Sequence, residues 1–150
     1  MMLLAHSADK KKNIPEQSYA DHVNGVVFVA GIAAKNAAKY ALSNGETLMR
    51  VVRDAAEYHD LGKLDEENQK VLTGINKEKS LPVQHTEAGT AYLLQNNEVI
   101  SAVLARSHHI GLPDWPHEEN RAELAFRDEK ENTRIRVDNS LNQLCEMHNT

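Results

Sequence analysis

His59 and Asp60 stand side by side in the segment AAEYHDLGKLD, with Lys63 shortly after them. An imidazole nitrogen suits Zn, Fe, Ni or Mn, and a carboxylate has two oxygens that can bridge two cations. An adjacent His-Asp pair is therefore a candidate seed for a metal pair, and hydrolysis of a phosphoester is the chemistry such a pair serves. Its companions are His22 upstream and His85, His108 and His109 downstream. Each has a plainer reading when taken alone. His22 on an apolar helix face is more often a hydrogen-bonded core or boundary residue than a ligand. His85 reads equally as a surface neighbour of a helix start, and His108-His109 as a polar helix end. Lys63 reads as a solvated charge beside a turn, and Asp60 as the cap of the next helix. His6, His117 and His148 fall outside the ordered set and keep the plain reading.

Helices must position these groups. Apolar residues recur at helical spacing from about Tyr19 to Leu42, where Val23, Val26, Val27, Ala30, Ala33, Ala34, Ala37 and Ala38 predict a long buried helix with His22 on or beside the stripe. Ser43-Asn44-Gly45 ends it, and a second helix is predicted over 46–59, burying Leu48, Val51, Val52, Ala55 and Ala56. His59 and Asp60 then fall in its last turn, where unpaired carbonyls favour a cation, and Gly62 is its stop signal. Neighbouring helical residues point about 100° apart, so one of the pair can hold a single ion while the other reaches between two. Asp65-Glu66-Glu67 reads as an acidic helix start leading to about Thr73-Gly74. Further helices are predicted over about 84–95 and 99–109, then a break at Ile110-Gly111-Leu112-Pro113-Asp114. Residues 116–136 are charged and less periodic, a last helix covers about 139–148, and no strand is predicted.

At 150 residues, one domain that buries a sizeable core is expected. The 17 Lys plus Arg against 22 Asp plus Glu leave a net charge of -5, which counts against autonomous nucleic-acid binding. Arg106, Arg121, Arg127, Arg134 and Arg136 are scattered, and read as surface charges or as the lining of a strand path. Eight histidines accompany one cysteine, Cys145, so any metal is held by nitrogen and oxygen and no internal disulfide forms. The opening apolar run is too short for a signal peptide core and no stretch approaches a membrane span, so a cytoplasmic location without membrane contact is expected. GxxxxGK[ST] and HExxH are both absent, against ATP hydrolysis by a phosphate loop and against a zinc peptidase.

The segments LAHS, YADHV, EYHDLGKLDEENQ, PVQHTEAG and ARSHHIGLPDW carry a family resemblance. Over residues 4–115 the chain resembles the HD superfamily of metal-dependent phosphohydrolases, and more narrowly the HD nuclease domain of the type I CRISPR interference nuclease-helicase. The paired HHxGLPD element is the specific part. The resemblance implies an all-α HD-domain helical bundle, with a motif-bearing core at about 4–115 and a charged tail at 116–150. It implies that His22, His59 and Asp60 hold one divalent ion and Asp60, His85, His108 and His109 a second, drawn from Mn, Ni, Co, Fe, Mg or Zn. Lys63 matches a position that contacts substrate phosphate or stabilises transition-state charge. The family completes its first ion site with an aspartate on a late helix. Here the chain ends at Thr150 and Asp138 is the one local substitute, so a C-terminally shortened domain is expected.

The activity so implied is cleavage of single-stranded DNA by metal-activated water, with two ions about 3.5–4 Å apart orienting the phosphate and neutralising the leaving oxygen. The implied partners are the DNA strand, a helicase subunit or domain, and the interference complex. Two other readings stay open: a nucleotide or cyclic-nucleotide phosphohydrolase, which suits the acidic charge, and an inactive metal-binding or docking fragment.

Overall fold

The Ser18 hydroxyl accepts a hydrogen bond from the Asp21 backbone N–H at 3.0 Å and so starts α1 (Tyr19–Ala38). The computed structural model, which describes residues 2–121 and 124–150, continues with α2 (Gly45–Tyr58), a 3-10 turn (Leu61–Leu64), α3 (Glu66–Leu72), α4 (Thr86–Gln95), α5 (Val99–Ile110), α6 (Trp115–Glu119) and α7 (Glu131–His148). The chain is mostly helical, as the periodicity predicts. The acidic start of α3 is also as predicted: Asp65 accepts from the Glu67 N–H at 2.9 Å.

Four elements differ from the sequence expectation, one of them the short helix α6 (Trp115–Glu119), which forms where only a charged, less periodic stretch is expected. A two-stranded antiparallel ribbon joins β1 (Leu4–His6) to β2 (Gln17–Ser18), and strands this short have no period to detect. In α1 only Tyr19, Val23 and Ala34 are buried: Ala33 and Ala37 of the expected stripe are exposed, as are Phe28, Val29 and Ile32 on the same helix. The helix rests against α2 and the ribbon, which together cover one side of it. The last helix, α7, begins at Glu131 rather than near Asn139. Its first two turns are polar and charged apart from the exposed Ile135, and the buried apolar residues begin only with Val137, followed by Leu141 and Leu144.

The core sits where α1, the 3-10 turn, α4 and α7 meet: Tyr19, Val23, Leu61, Leu64, Ala88, Val137, Leu141 and Leu144 pack together. Leu61 and Leu64 are 0% and 1% exposed. Burial of such a leucine contributes roughly 2–3 kcal/mol, so the turn after Asp60 is anchored from below. Glu87, fully buried on α4, accepts from the Arg127 guanidinium and from the Asp128 N–H at 2.7 Å. That buried carboxylate ties the segment before α7 back to α4.

Candidate metal centre

Two glycines let the backbone close around the His59-Asp60 pair. A Cβ on Gly89 of α4 would lie 1.8 Å from the Tyr58 carbonyl oxygen, and one on Gly62 would lie 2.5 Å from the His85 carbonyl oxygen. Both positions require the absence of a side chain for α4 and the segment before it to approach the end of α2. The Gly62 N–H also donates to the His85 carbonyl at 3.1 Å. Asn68, fully buried on α3, completes the junction: its amide donates to the Gly62 and Val83 carbonyls at 2.8 and 3.0 Å and accepts from the Val83 N–H at 3.0 Å. His85 follows Val83 by two residues, so Asn68 holds the approach of His85 to the Asp60 turn.

The helix ends at Tyr58, one residue earlier than predicted, which makes His59 its C-cap and places Asp60 just beyond it. Asp60 is 2% exposed and its two oxygens face different histidines. Oδ2 lies 2.9 Å from His22 Nε2 and 3.2 Å from His59 Nε2. Oδ1 lies 3.5 Å from both His85 Nε2 and His108 Nε2. His109 joins the second set through His85, with Nε2 atoms 2.7 Å apart. Two groups of candidate ligands therefore share one carboxylate: His22, His59 and Asp60, and Asp60, His85, His108 and His109.

The donor chemistry fits divalent ions. Ligand nitrogens on one ion at about 2.0–2.1 Å, spread over octahedral to tetrahedral angles, sit about 2.8–3.4 Å from each other. His22 Nε2 and His59 Nε2 are 3.2 Å apart, and the His85–His109 pair is slightly tighter than that range. Asp60 Oδ1 is a buried carboxylate oxygen without a hydrogen-bond partner, a costly state that a cation relieves. Outer contacts set the tautomers. His59 Nδ1 donates to the Ala56 carbonyl at 2.7 Å and His108 Nδ1 to the Ala105 carbonyl, leaving each Nε2 lone pair directed at the centre. His22 Nδ1 similarly meets Gln17 Oε1 at 3.2 Å.

The electrostatics favour the ligating protonation states. Burial would raise the Asp60 carboxyl, but the facing imidazoles of His108 and His59 and the Lys63 ammonium outweigh it and hold the group well below the usual carboxylate range. Burial lowers His85 to about 4 and also pushes down His22 and His109. Neutral imidazoles and an ionised carboxylate are the forms that bind metal. Lys63, 6% exposed, places its Nζ 2.8 Å from Asp60 Oδ2, so it is a buried partner of the Asp60 carboxylate rather than a solvated charge.

All six candidate ligands and Lys63 thus converge, while Asp138 does not join them. It pairs with Arg127 at 2.7 Å on α7 and belongs to neither ligand group. The five arginines are engaged within the chain: Arg106 and Arg127 with Glu87, Arg121 with Glu118, Arg136 with Asp65, and Arg134 with the Asp128 and Glu129 carbonyls. His117 is exposed on α6, and His148 bonds to the Tyr19 hydroxyl at 3.0 Å. His6 is the residue that spacing misses. Its ring meets the His22 ring edge-to-face with centroids 4.8 Å apart, brought there by the ribbon. No family model, curated protein or solved structure matches the chain.

Proposed function

We propose that this chain is an HD-type metal-dependent phosphodiesterase that cleaves single-stranded DNA in type I CRISPR interference, with a helicase and the interference complex delivering the strand. The observation that carries the reading is the division of Asp60, one oxygen toward His22 and His59 and the other toward His85 and His108. His22, His59 and Asp60 would hold one ion, and Asp60, His85, His108 and His109 the second. Bound there, divalent ions supply a water acidified to near-neutral pKa and positive charge for the phosphoryl oxygens.

The protein's own part is orientation and charge. The Ala56 and Ala105 carbonyls fix the His59 and His108 rings, so the ligand set is organised before substrate arrives. Lys63 adds a buried ammonium beside Asp60, a source of positive charge where phosphate charge builds in the transition state. The choice of a DNA strand rests on the resemblance of ARSHHIGLPDW, whose histidine doublet supplies two side chains to one ligand group. Delivery by a partner accounts for a net charge of -5, which gives little attraction for a polyanion at a distance.

That same charge favours a second reading, a phosphohydrolase of nucleotides or cyclic nucleotides. One experiment separates them. Metal-stripped protein is resupplied with Mn, Ni, Co, Fe or Mg and incubated with circular single-stranded DNA, with mononucleotides and with cyclic nucleotides, beside Asp60→Ala. Metal-dependent nicking of the circle that Asp60→Ala abolishes supports the nuclease. Turnover confined to the small substrates supports the alternative, and metal binding without any turnover overturns both.

A further inference from the structure

Beside the metal centre runs a groove of about 340 Å³ that shares Lys63 with it and is rimmed by His6, Ser7, Lys79 and Ser80, with Glu78 the one carboxylate on its edge. The strand bearing His6 is held with unusual care for an element of three residues. Gln69 accepts from the Leu4 N–H at 3.0 Å and donates to the Leu4 carbonyl and to the Lys63 carbonyl, both at 2.8 Å. One amide therefore fixes β1 and the Lys63 backbone relative to each other. Ser7 adds a hydrogen bond to the Leu72 carbonyl at 2.8 Å, and Leu4 and Ala5 are buried at 4% and 1%.

The result is a solvent-facing imidazole held against His22 at the edge of the groove, with Lys63 lining the groove and pairing with Asp60. His22 already has Gln17, His59 and Asp60 as partners, so the core does not need His6 to satisfy a buried polar atom. Lys79 stands exposed on the far rim, and Glu78 is drawn into a 3.2 Å hydrogen bond from Asn76. Two nitrogen donors thus flank a groove whose inner end is Lys63. Nitrogen donors at an open rim suit phosphate oxygens: the Lys79 ammonium offers the stronger charge-assisted bond, and His6 donates a ring N–H as a neutral imidazole.

We propose that His6 and Lys79 bind the phosphate adjacent to the one being cleaved, so that the groove selects a polynucleotide strand over a mononucleotide. His6 is here a substrate-binding residue and not a metal ligand. The inference rests on the phosphodiesterase reading for its cleavage assay, and on strand binding for a test independent of it.

Steady-state cleavage of a fluorescent single-stranded oligonucleotide is compared with hydrolysis of bis(p-nitrophenyl) phosphate for the Mn-loaded wild type, His6→Ala, His6→Gln and Lys79→Ala. The expected result for His6→Ala and Lys79→Ala is a KM for the strand raised about tenfold with a much smaller change in kcat, and a reduced preference for strand over small diester. His6→Gln restores part of the loss through its amide donor, and Mn stoichiometry is unchanged throughout. Lys79→Ala also lowers the slope of log affinity against log salt by about 0.7, the share of one phosphate contact on a single strand. An unmoved strand KM overturns the proposal, as does an equal loss on both substrates or a lost Mn equivalent in His6→Ala. Should the wild type turn over neither substrate, the phosphodiesterase reading fails, and fluorescence anisotropy decides the groove alone. Tenfold weaker strand binding by His6→Ala then upholds it, and equal binding overturns it.

Discussion

Gly89 of α4 lies so close to Tyr58 at the end of α2 that a Cβ there would come within 1.8 Å of the Tyr58 carbonyl oxygen. This contact sets how deeply α4 seats under the His59-Asp60 corner, and with it the distance from Asp60 to the histidines beyond. The obstacle is backbone on both sides, so no rotamer change relieves it. Gly89→Ala is expected to destabilise the fold by about 3 kcal/mol, the upper part of the overpacking range. For a chain of this length that is a fall in Tm of about 6–12 °C. A melt at the wild-type temperature would show that the helices can separate without cost.

Asn68 has no exposed surface and makes three hydrogen bonds to the backbone on either side of His85's approach. Asn68→Ala leaves the Val83 N–H and two carbonyls without this partner, at a cost of about 2–4 kcal/mol. It also frees His85 to drift from Asp60, so Mn affinity measured by calorimetry is expected to fall about tenfold in the variant that remains folded. Loss of stability with full Mn affinity would confine Asn68 to a structural role.

Asp138 lies outside both candidate ligand groups. Its partner is Arg127, and its side chain is 48% exposed. Asp138→Asn is expected to change stability by less than about 1 kcal/mol, as for other partly exposed ion pairs, and to leave the number of bound Mn ions unaltered. A lost Mn equivalent in that variant would return Asp138 to the first ion site.

Acid should weaken the metal-free protein through its histidines before its carboxylates. His85 titrates at about 4 in the folded chain against 6.5 in the unfolded one, and His22 and His109 are displaced in the same direction by burial. The unfolded chain therefore binds more protons between pH 6.5 and pH 4, and stability rises with pH across that window. The stabilisation is fully present above pH 6.5 and is lost as pH falls through the folded values, with His85 alone accounting for about 3 kcal/mol. Asp60, also depressed, extends the decline below the ordinary carboxylate range. Urea unfolding of stripped protein at pH 7 and pH 5 checks this, and equal midpoints would contradict it.

The helices were legible in the sequence because each rests on a local signal, and the residues that gather around Asp60 could be singled out by type and order. Asp65-Glu66-Glu67 carries its own helix start, and the HD dipeptide and the histidine doublet mark themselves by residue type. What escaped was non-local. His6 reaches His22 through a ribbon of three and two residues, too short for any periodicity to announce. Gly62 reads as a stop signal and Gly89 as one scattered glycine among seven, since the backbone each admits belongs to a distant segment. The exposed face of α1 escaped for the opposite reason: apolar spacing reports what a helix offers for burial and not what arrives to cover it. The arginines that suggested a strand path are drawn instead to Glu87, Glu118 and Asp65, pairings that composition does not reveal.

The sharing of Asp60 between two ion sites is tested most directly by the stoichiometry and electron paramagnetic resonance of Mn-loaded protein. Two Mn ions per chain with the broadened signal of a spin-coupled pair are expected, and in Asp60→Ala a loss of that coupling together with at least one ion. A single uncoupled ion in the wild type, or a pair that survives removal of Asp60, would contradict that sharing.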